Sequence, residues 1–224
     1  MEVKGLTKSE SLFEDFCNSM SVIFKKIPVG LQKAPDYFIY SNDLVCIAEI
    51  KQIEHNKEEL AIINTDPAIV GEYEATYGTV AGERIREKLK AGMRQIKGEF
   101  SNYPAIIIIY NNTLWPEYTS GDYILNALYG IEAILVSSEA APEGGAKILN
   151  RWFAHNRMAT PNHNTSLSAV GILEIQNMKI SLTVYHNYFA SRPFPLNVFA
   201  KKLATHYHLS NNPQLGYATW SEIN

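Results

Sequence analysis

The sequence predicts an α/β fold in which helices flank one mixed β-sheet. Three observations carry this reading. Residues 105–110, Ala-Ile-Ile-Ile-Ile-Tyr, form an unbroken apolar run rich in β-branched residues, the pattern of a strand covered on both faces. Segments with apolar residues at helical spacing stand on either side of it, at 83–100 and 121–129. Ahead of both, two apolar runs, 37–40 and 44–53, bracket Ser41-Asn42-Asp43 as the arms of a hairpin bracket their turn.

Taken in order, the chain opens with a helix capped by Ser9 or Ser11 and predicted to run to about Lys26. Leu12, Phe13, Phe16, Met20, Ile23, Phe24 and Ile27 mark its buried face, and Pro28 ends it. The hairpin follows. Residues 54–82 are acidic and polar, punctuated by Asp66-Pro67, Gly71, Gly78 and Gly82, and read as a long loop with one short helix. The helix at 83–100 turns Ile85, Leu89, Met93 and Ile96 inward. After the strand at 105–110, a helix at 121–129 and a strand at 131–136 repeat the pattern. Ala140 to Gly145 is a small-residue break. Beyond it, 166–176 and 179–185 read as a second hairpin around Asn177, followed by a proline-rich stretch and a tail helix at 195–206. The expected organisation is one domain over residues 1–224. Its core is at about 9–136, and a C-terminal β-hairpin and helix extension occupies about 146–224.

Composition narrows the function. The 224 residues are 46% hydrophobic and 19% charged, ordinary for a globular protein. A net charge of -3 offers no bulk attraction to nucleic acid or anionic membrane, so either partner would need a local patch. Two cysteines, Cys17 and Cys46, make no disulfide framework and no CxxC motif. No segment reaches the roughly 18 apolar residues of a membrane span, and no signal-peptide core is seen. The expected location is the cytoplasm. Motifs for nucleotide hydrolysis, dinucleotide binding, serine hydrolases and zincins are missing from the sequence. His206 and His208, at i and i+2, would align only on a strand, so the predicted tail helix gives no zinc site.

The informative stretch is Pro35-Asp36 followed by Leu44 to Ile53. Val45, Ile47, Glu49, Lys51 and Ile53 share one face of the second strand, and Leu44, Cys46, Ala48 and Ile50 share the other. Both faces begin apolar, so the strand is central, and the charges of Glu49 and Lys51 are partly desolvated. That is costly unless they are paired or bind a ligand. An even-length turn puts Asp36 opposite Glu49, with Cβ atoms roughly 4.5–5.5 Å apart. Two carboxylates so close repel, and a divalent cation between them removes the conflict. An odd-length turn would send Asp36 to the wrong face. A plain salt bridge between Glu49 and Lys51 is the structural alternative.

Pro35-Asp36 … Glu49-Ile50-Lys51 resembles the motif of the PD-(D/E)XK nuclease superfamily, which has the restriction-endonuclease-like fold. The order of elements over about residues 9–136 is similar as well. The resemblance implies a bacterial member that hydrolyses phosphodiester bonds with Mg²⁺, for which Mn²⁺ can substitute, and DNA is the expected substrate. It implies that Asp36, Glu49 and the Ile50 carbonyl hold the metal and that Lys51 orients or activates the attacking water. Glu14, in Leu12-Phe13-Glu14, looks like the acidic residue of the family's first helix, with Glu10 the alternative. Gln95 is similar to a glutamine or lysine found on a later helix. Arg86, Lys90, Arg94 and Lys97 form a basic stripe that could track a nucleic-acid backbone, or simply a solvated helix face. Asn187 and Arg192 are further candidates, with packing as their alternative. A homodimer and a defence-system partner are the protein partners such a family implies. The rival reading is a non-catalytic module of the same fold that binds nucleic acid or protein.

Overall fold

A computed structural model describes residues 5–28, 30, 34–64, 80–140 and 146–223. In chain order its elements are α1 (Lys8–Ser19), β1 (Ile23–Lys26), β2 (Tyr37–Ser41), β3 (Leu44–Ile53), α2 (Lys57–Ile63), α3 (Glu83–Met93) and β4 (Ala105–Asn111). They continue with α4 (Gly121–Tyr129), β5 (Glu132–Ala140), β6 (Ala146–Phe153), β7 (Leu167–Gln176), β8 (Lys179–His186), β9 (Thr205–Leu209) and β10 (Trp220–Glu222). Eight strands make one mixed sheet in the order β1-β2-β3-β4-β7-β8-β9-β10, while β5 and β6 form a separate two-stranded ribbon. The architecture is α/β, with helices flanking the mixed sheet.

The parallel trio β3-β4-β7 lies at the centre. Helices α3 and α4 cover one face around Ile47, Ile53, Ile107 and Ile109. Helix α1 and residues Phe194, Val198 and Phe199 cover the other, around Cys46, Ala48, Ile106 and Ile108. Burial on both sides is why β4 carries aliphatic residues at consecutive positions.

In the β2–β3 hairpin, Ser41 pairs with Leu44 across a two-residue turn, and Asn42 takes φ 52°. Asparagine tolerates this left-handed conformation, which suits the twist of such turns. The register runs from there to Tyr37 against Ala48. The turn is thus the even-length one, and it brings Asp36 beside Glu49.

Several boundaries differ from the sequence reading. Helix α1 is capped by Thr7, not Ser9 or Ser11, in a reciprocal box with Glu10, and it stops at Ser19 instead of Lys26. Ser21 adopts φ 56° and turns the chain, and Ile23–Lys26 pairs with β2 as a strand. Helix α3 ends at Met93, and a 3₁₀ turn, Gly98–Asn102, replaces its predicted last turns. The hairpin β7–β8 is no extension. Strand β7 lies parallel to β4 inside the main sheet, and the predicted core strand at 131–136 belongs to the outlying ribbon. Turns replace most of the tail helix and lead into β9, which pairs in parallel with β8. Asp66, Pro67, Gly71 and Gly78, and the break from about 141 to 145, lie outside the described residues. Among the described residues no helix is long and apolar enough to cross a membrane.

Candidate active site

Alternation along β3 sends Glu49 and Lys51 toward α3 and Ile50 toward α1. Glu49 is 1% exposed. Its Oε1 accepts a hydrogen bond from Lys51 Nζ, and its Oε2 is buried with no N–H donor bonded to it; the Asp36 and Glu49 carboxyl groups hydrogen-bond to each other. Asp36 sits just before β2, where the ladder becomes irregular. Its N–H donates to the Ala48 carbonyl (3.1 Å), while its C=O accepts from Ile27 N–H beyond β1 (2.8 Å). Its carboxylate Oδ2 accepts the Ile50 N–H at 2.7 Å. The side chain therefore stands in for the neighbour strand that β3 lacks at this level. A strand residue's N–H and C=O leave on the same edge, so the Ile50 carbonyl also faces the Asp36 side.

Electrostatics make the group unusual. Burial, and then the Asp36 charge, push Glu49 up to about 8 against the opposing pull of Lys51. Asp36 is also raised by burial, with the Ile50 amide and Lys51 acting the other way. One ammonium faces two carboxyl groups where water is largely excluded, and the site avoids a second negative charge by keeping the proton on Glu49. A divalent cation would displace that proton and offset the charge it leaves. Glu49 Oε2, which faces Asp36 and takes no bond from Lys51, is the acceptor atom it would use.

Helix α3 approaches this point closely at Gly92. A Cβ there would lie 2.8 Å from Ile107 Cδ1 and 3.3 Å from Glu49 Cγ. Gln95, just past the helix, has a buried Oε1 without a hydrogen-bond partner. Lys88, one turn before Gly92, has its ammonium depressed by burial and by Arg84, and it also feels the charge of Lys51. Sequence reasoning missed Lys88. The signal was present: Arg84, Lys88 and Gly92 recur at four-residue spacing, and a glycine inside a helix often marks a close approach.

The other candidates fall elsewhere. Arg86 is 5% exposed and donates to the carbonyls of Asn156 (3.0 Å) and Asn126 (3.2 Å). It ties α3 to neighbouring loops, a correction to its place in a basic stripe. Lys90, Arg94 and Lys97 are exposed, but only Lys90 lies within the helix. Glu14 accepts from the Tyr37 hydroxyl at 2.8 Å, and Tyr37 packs on the sheet face opposite Glu49. Glu10 is held by Lys26 (2.8 Å) and by the Thr7 cap, and its charge reaches Asp36. Asn187 is buried and donates to the Leu167 carbonyl, and Arg192 donates to the Ser101 carbonyl. His206 lies on a strand after all. It is buried and bonds His186 (2.9 Å) and the Phe199 carbonyl, while His208 is exposed.

Among the described residues no three His, Cys, Asp or Glu side chains gather as a metal-binding group. Two carboxylates and a carbonyl are nevertheless a set that suits Mg²⁺, which keeps several waters and takes few protein ligands. A separate cavity of about 280 Å³ opens between the ends of β4 and β7, lined by Tyr110, Asn111, Thr113 and Glu174 among others, and contains none of these residues. No family model, curated protein or solved structure matches the chain.

Proposed function

We propose that the protein is a Mg²⁺-dependent nuclease of the restriction-endonuclease-like fold, acting on DNA. One observation carries the reading. Asp36, just before β2, brings a second carboxyl group against Glu49 on the buried strand β3, beside Lys51, and the two acids share one ammonium. Asp36, Glu49 and the Ile50 carbonyl are the residues that would hold the metal. Bound there, Mg²⁺ would supply Lewis acidity toward the phosphate and a water at neutral pH. The protein's own part is positional. The Ile50 amide fixes the Asp36 carboxylate, and Gly92 leaves room for Glu49 beneath α3. Lys51, partly exposed while Glu49 is not, presents its ammonium where negative charge would build on a phosphoryl group. Lys88 adds a second positive charge on the same side.

The test is cleavage of plasmid, linear duplex, single-stranded DNA and RNA with Mg²⁺, Mn²⁺ or EDTA, comparing wild type with Lys51→Ala. Circular dichroism establishes that both are folded. Metal-dependent cutting by the wild type and a loss of at least about 100-fold in the variant are expected. Metal-independent cutting, or equal cutting by both, refutes the assignment.

The non-catalytic alternative has its own observation: the Asp36 carboxylate already satisfies a backbone amide of β3. On that reading Asp36 is a strand cap, and calorimetric titration with Mn²⁺ gives no heat that Glu49→Ala abolishes.

A further inference from the structure

An aromatic surface begins directly beside the acidic group. Asp36, Phe38 and Tyr40 are alternate residues, and the register of β2 with β3 puts them on the sheet face toward which Glu49 points. Helix α3 packs over β3 and β4, whereas over β2 this face meets Phe100, from the 3₁₀ turn, and Tyr103. The Phe38 ring stands 6.3 Å from Tyr40, 6.3 Å from Phe100 and 6.0 Å from Tyr103, centroid to centroid. All four rings are half-buried, and Phe38, Phe100 and Tyr103 rest on the core beneath them. The edge strand β1 adds Lys25, exposed and directly opposite Phe38.

Cations border the rings. Arg94 and Lys97 are exposed on the segment that leads from α3 into the 3₁₀ turn, and Arg192 donates to the Ser101 carbonyl of that turn at 3.1 Å. Among the described residues neither these three nor Lys25 forms an ion pair with a carboxylate. The exposed acids on the same segments are Glu99 in the turn and Asp43 in the hairpin, so the local balance is positive on a chain whose net charge is -3.

We infer that this surface binds single-stranded DNA, with bases stacked on Phe38 and Tyr40 and phosphates along Lys25, Arg94 and Lys97. The chemistry selects the strand state. An aromatic ring offers a face on which any base can stack, but in a duplex the faces of the bases are already covered by their neighbours. Unpaired nucleotides therefore gain from rings and cations together, while a duplex is offered the cations alone. Phe38 also lies about 7 Å along the strand from Asp36, roughly one nucleotide of extended backbone, so a strand held on the rings continues to the carboxyl groups. The inference rests on the nuclease reading for what the strand is delivered to, but binding itself needs neither metal nor cutting.

Fluorescence anisotropy in EDTA provides the test, with the full chain titrated against a labelled oligothymidylate of fifteen nucleotides and a duplex of the same length. Binding should be at least tenfold tighter to the single strand. Tyr40→Leu and Phe38→Leu keep an apolar side chain and lose the flat ring, and each should weaken single-strand binding at least about fivefold while leaving duplex binding unchanged. Tyr40→Phe keeps the ring and should bind like the wild type, a contrast that separates stacking from loss of the hydroxyl. Should Phe38→Leu lose its circular dichroism spectrum, the Tyr40 variants carry the test alone. Lys25→Ala should reduce the salt slope of single-strand binding by about 0.7, and Lys201→Ala, exposed ahead of β9 near the other edge of the sheet, should leave it unchanged. Equal affinity for single strand and duplex overturns the inference. So does an absence of binding at 100 μM, or leucine variants that bind as tightly as the wild type. If ring-dependent binding holds while wild type and Lys51→Ala are equally inert with metal, the nuclease reading falls and this surface stands; metal-dependent cutting without ring-dependent binding does the reverse.

Discussion

Replacing Glu49 by glutamine removes the charge that burial opposes while keeping the side chain's shape. The native protein holds a proton on Glu49 up to about pH 8, whereas the ordinary value is 4.5. Because the folded value is raised, this group's contribution to stability is complete below about pH 4.5. It declines as pH rises and is lost by about pH 8. One pH unit is worth about 1.4 kcal/mol, which sets a ceiling near 5 kcal/mol for the whole shift. Buried sites respond as though more polarisable than a dry interior, so we expect about 2–3 kcal/mol. The assay is urea unfolding in EDTA at pH 5, 6, 7 and 8. Wild type should lose about 2–3 kcal/mol across the series relative to Glu49→Gln, whose profile should be flatter. Mg²⁺ at pH 8 should recover stability for the wild type alone, because binding to the native state stabilises it by mass action. Parallel profiles in EDTA would refute the buried-carboxylate argument. Equal Mg²⁺ stabilisation of both proteins would refute Glu49 as a ligand.

Two further outcomes follow from the same structure. Arg86→Ala, which leaves two carbonyls without their buried donor, should cost about 2–3 kcal/mol in urea unfolding, whereas Lys90→Ala should change stability by less than about 0.5 kcal/mol. If the two variants behave alike, Arg86 is not the tie described. Burial, then the neighbouring His206 and His208, lower His186 to about 4, so its contribution is complete above pH 6.5 and is lost as pH falls toward 4. Thermal unfolding of His186→Gln from pH 7 to 4 should show a shallower acid loss than the wild type, and an unchanged slope would assign that loss elsewhere.

Much of the central sheet was legible because its rules are local. The turn at Asn42-Asp43 and the alternation of β3 fix which side chains share a face, and therefore place Asp36 beside Glu49. β4 declared itself by its continuous aliphatic run, and α4 by its spacing and the glycine that follows it. What failed was decided at a distance. Met20, Ile23, Phe24 and Ile27 fit a helical period, but Ser21 turns and β2 captures the residues beyond it as a strand. Ile131–Val136 and Leu167–Leu173 are both apolar runs, and only contact with β4 selects the second as its neighbour. His206 became a strand residue through parallel pairing with β8, 20 or so positions away, which no local pattern encodes. At the site, Arg86 looked like one more basic position because spacing alone does not say which arc of α3 faces inward. Gly92 did say it, and pointed to Lys88.

Strand β2 stops at Tyr37, opposite Ala48, yet β3 continues to Ile53. Past Ala48 the β2-side edge of β3 has no partner strand among the described residues, and the Asp36 carboxylate takes up the Ile50 amide that a longer β2 would have bonded. The reach of one short strand thus decides whether that amide is satisfied by backbone or by an acidic side chain. Extending β2 by two paired residues should exchange the carboxylate's bond for a backbone one, so it is the shortness of β2 that leaves an acid beside Glu49.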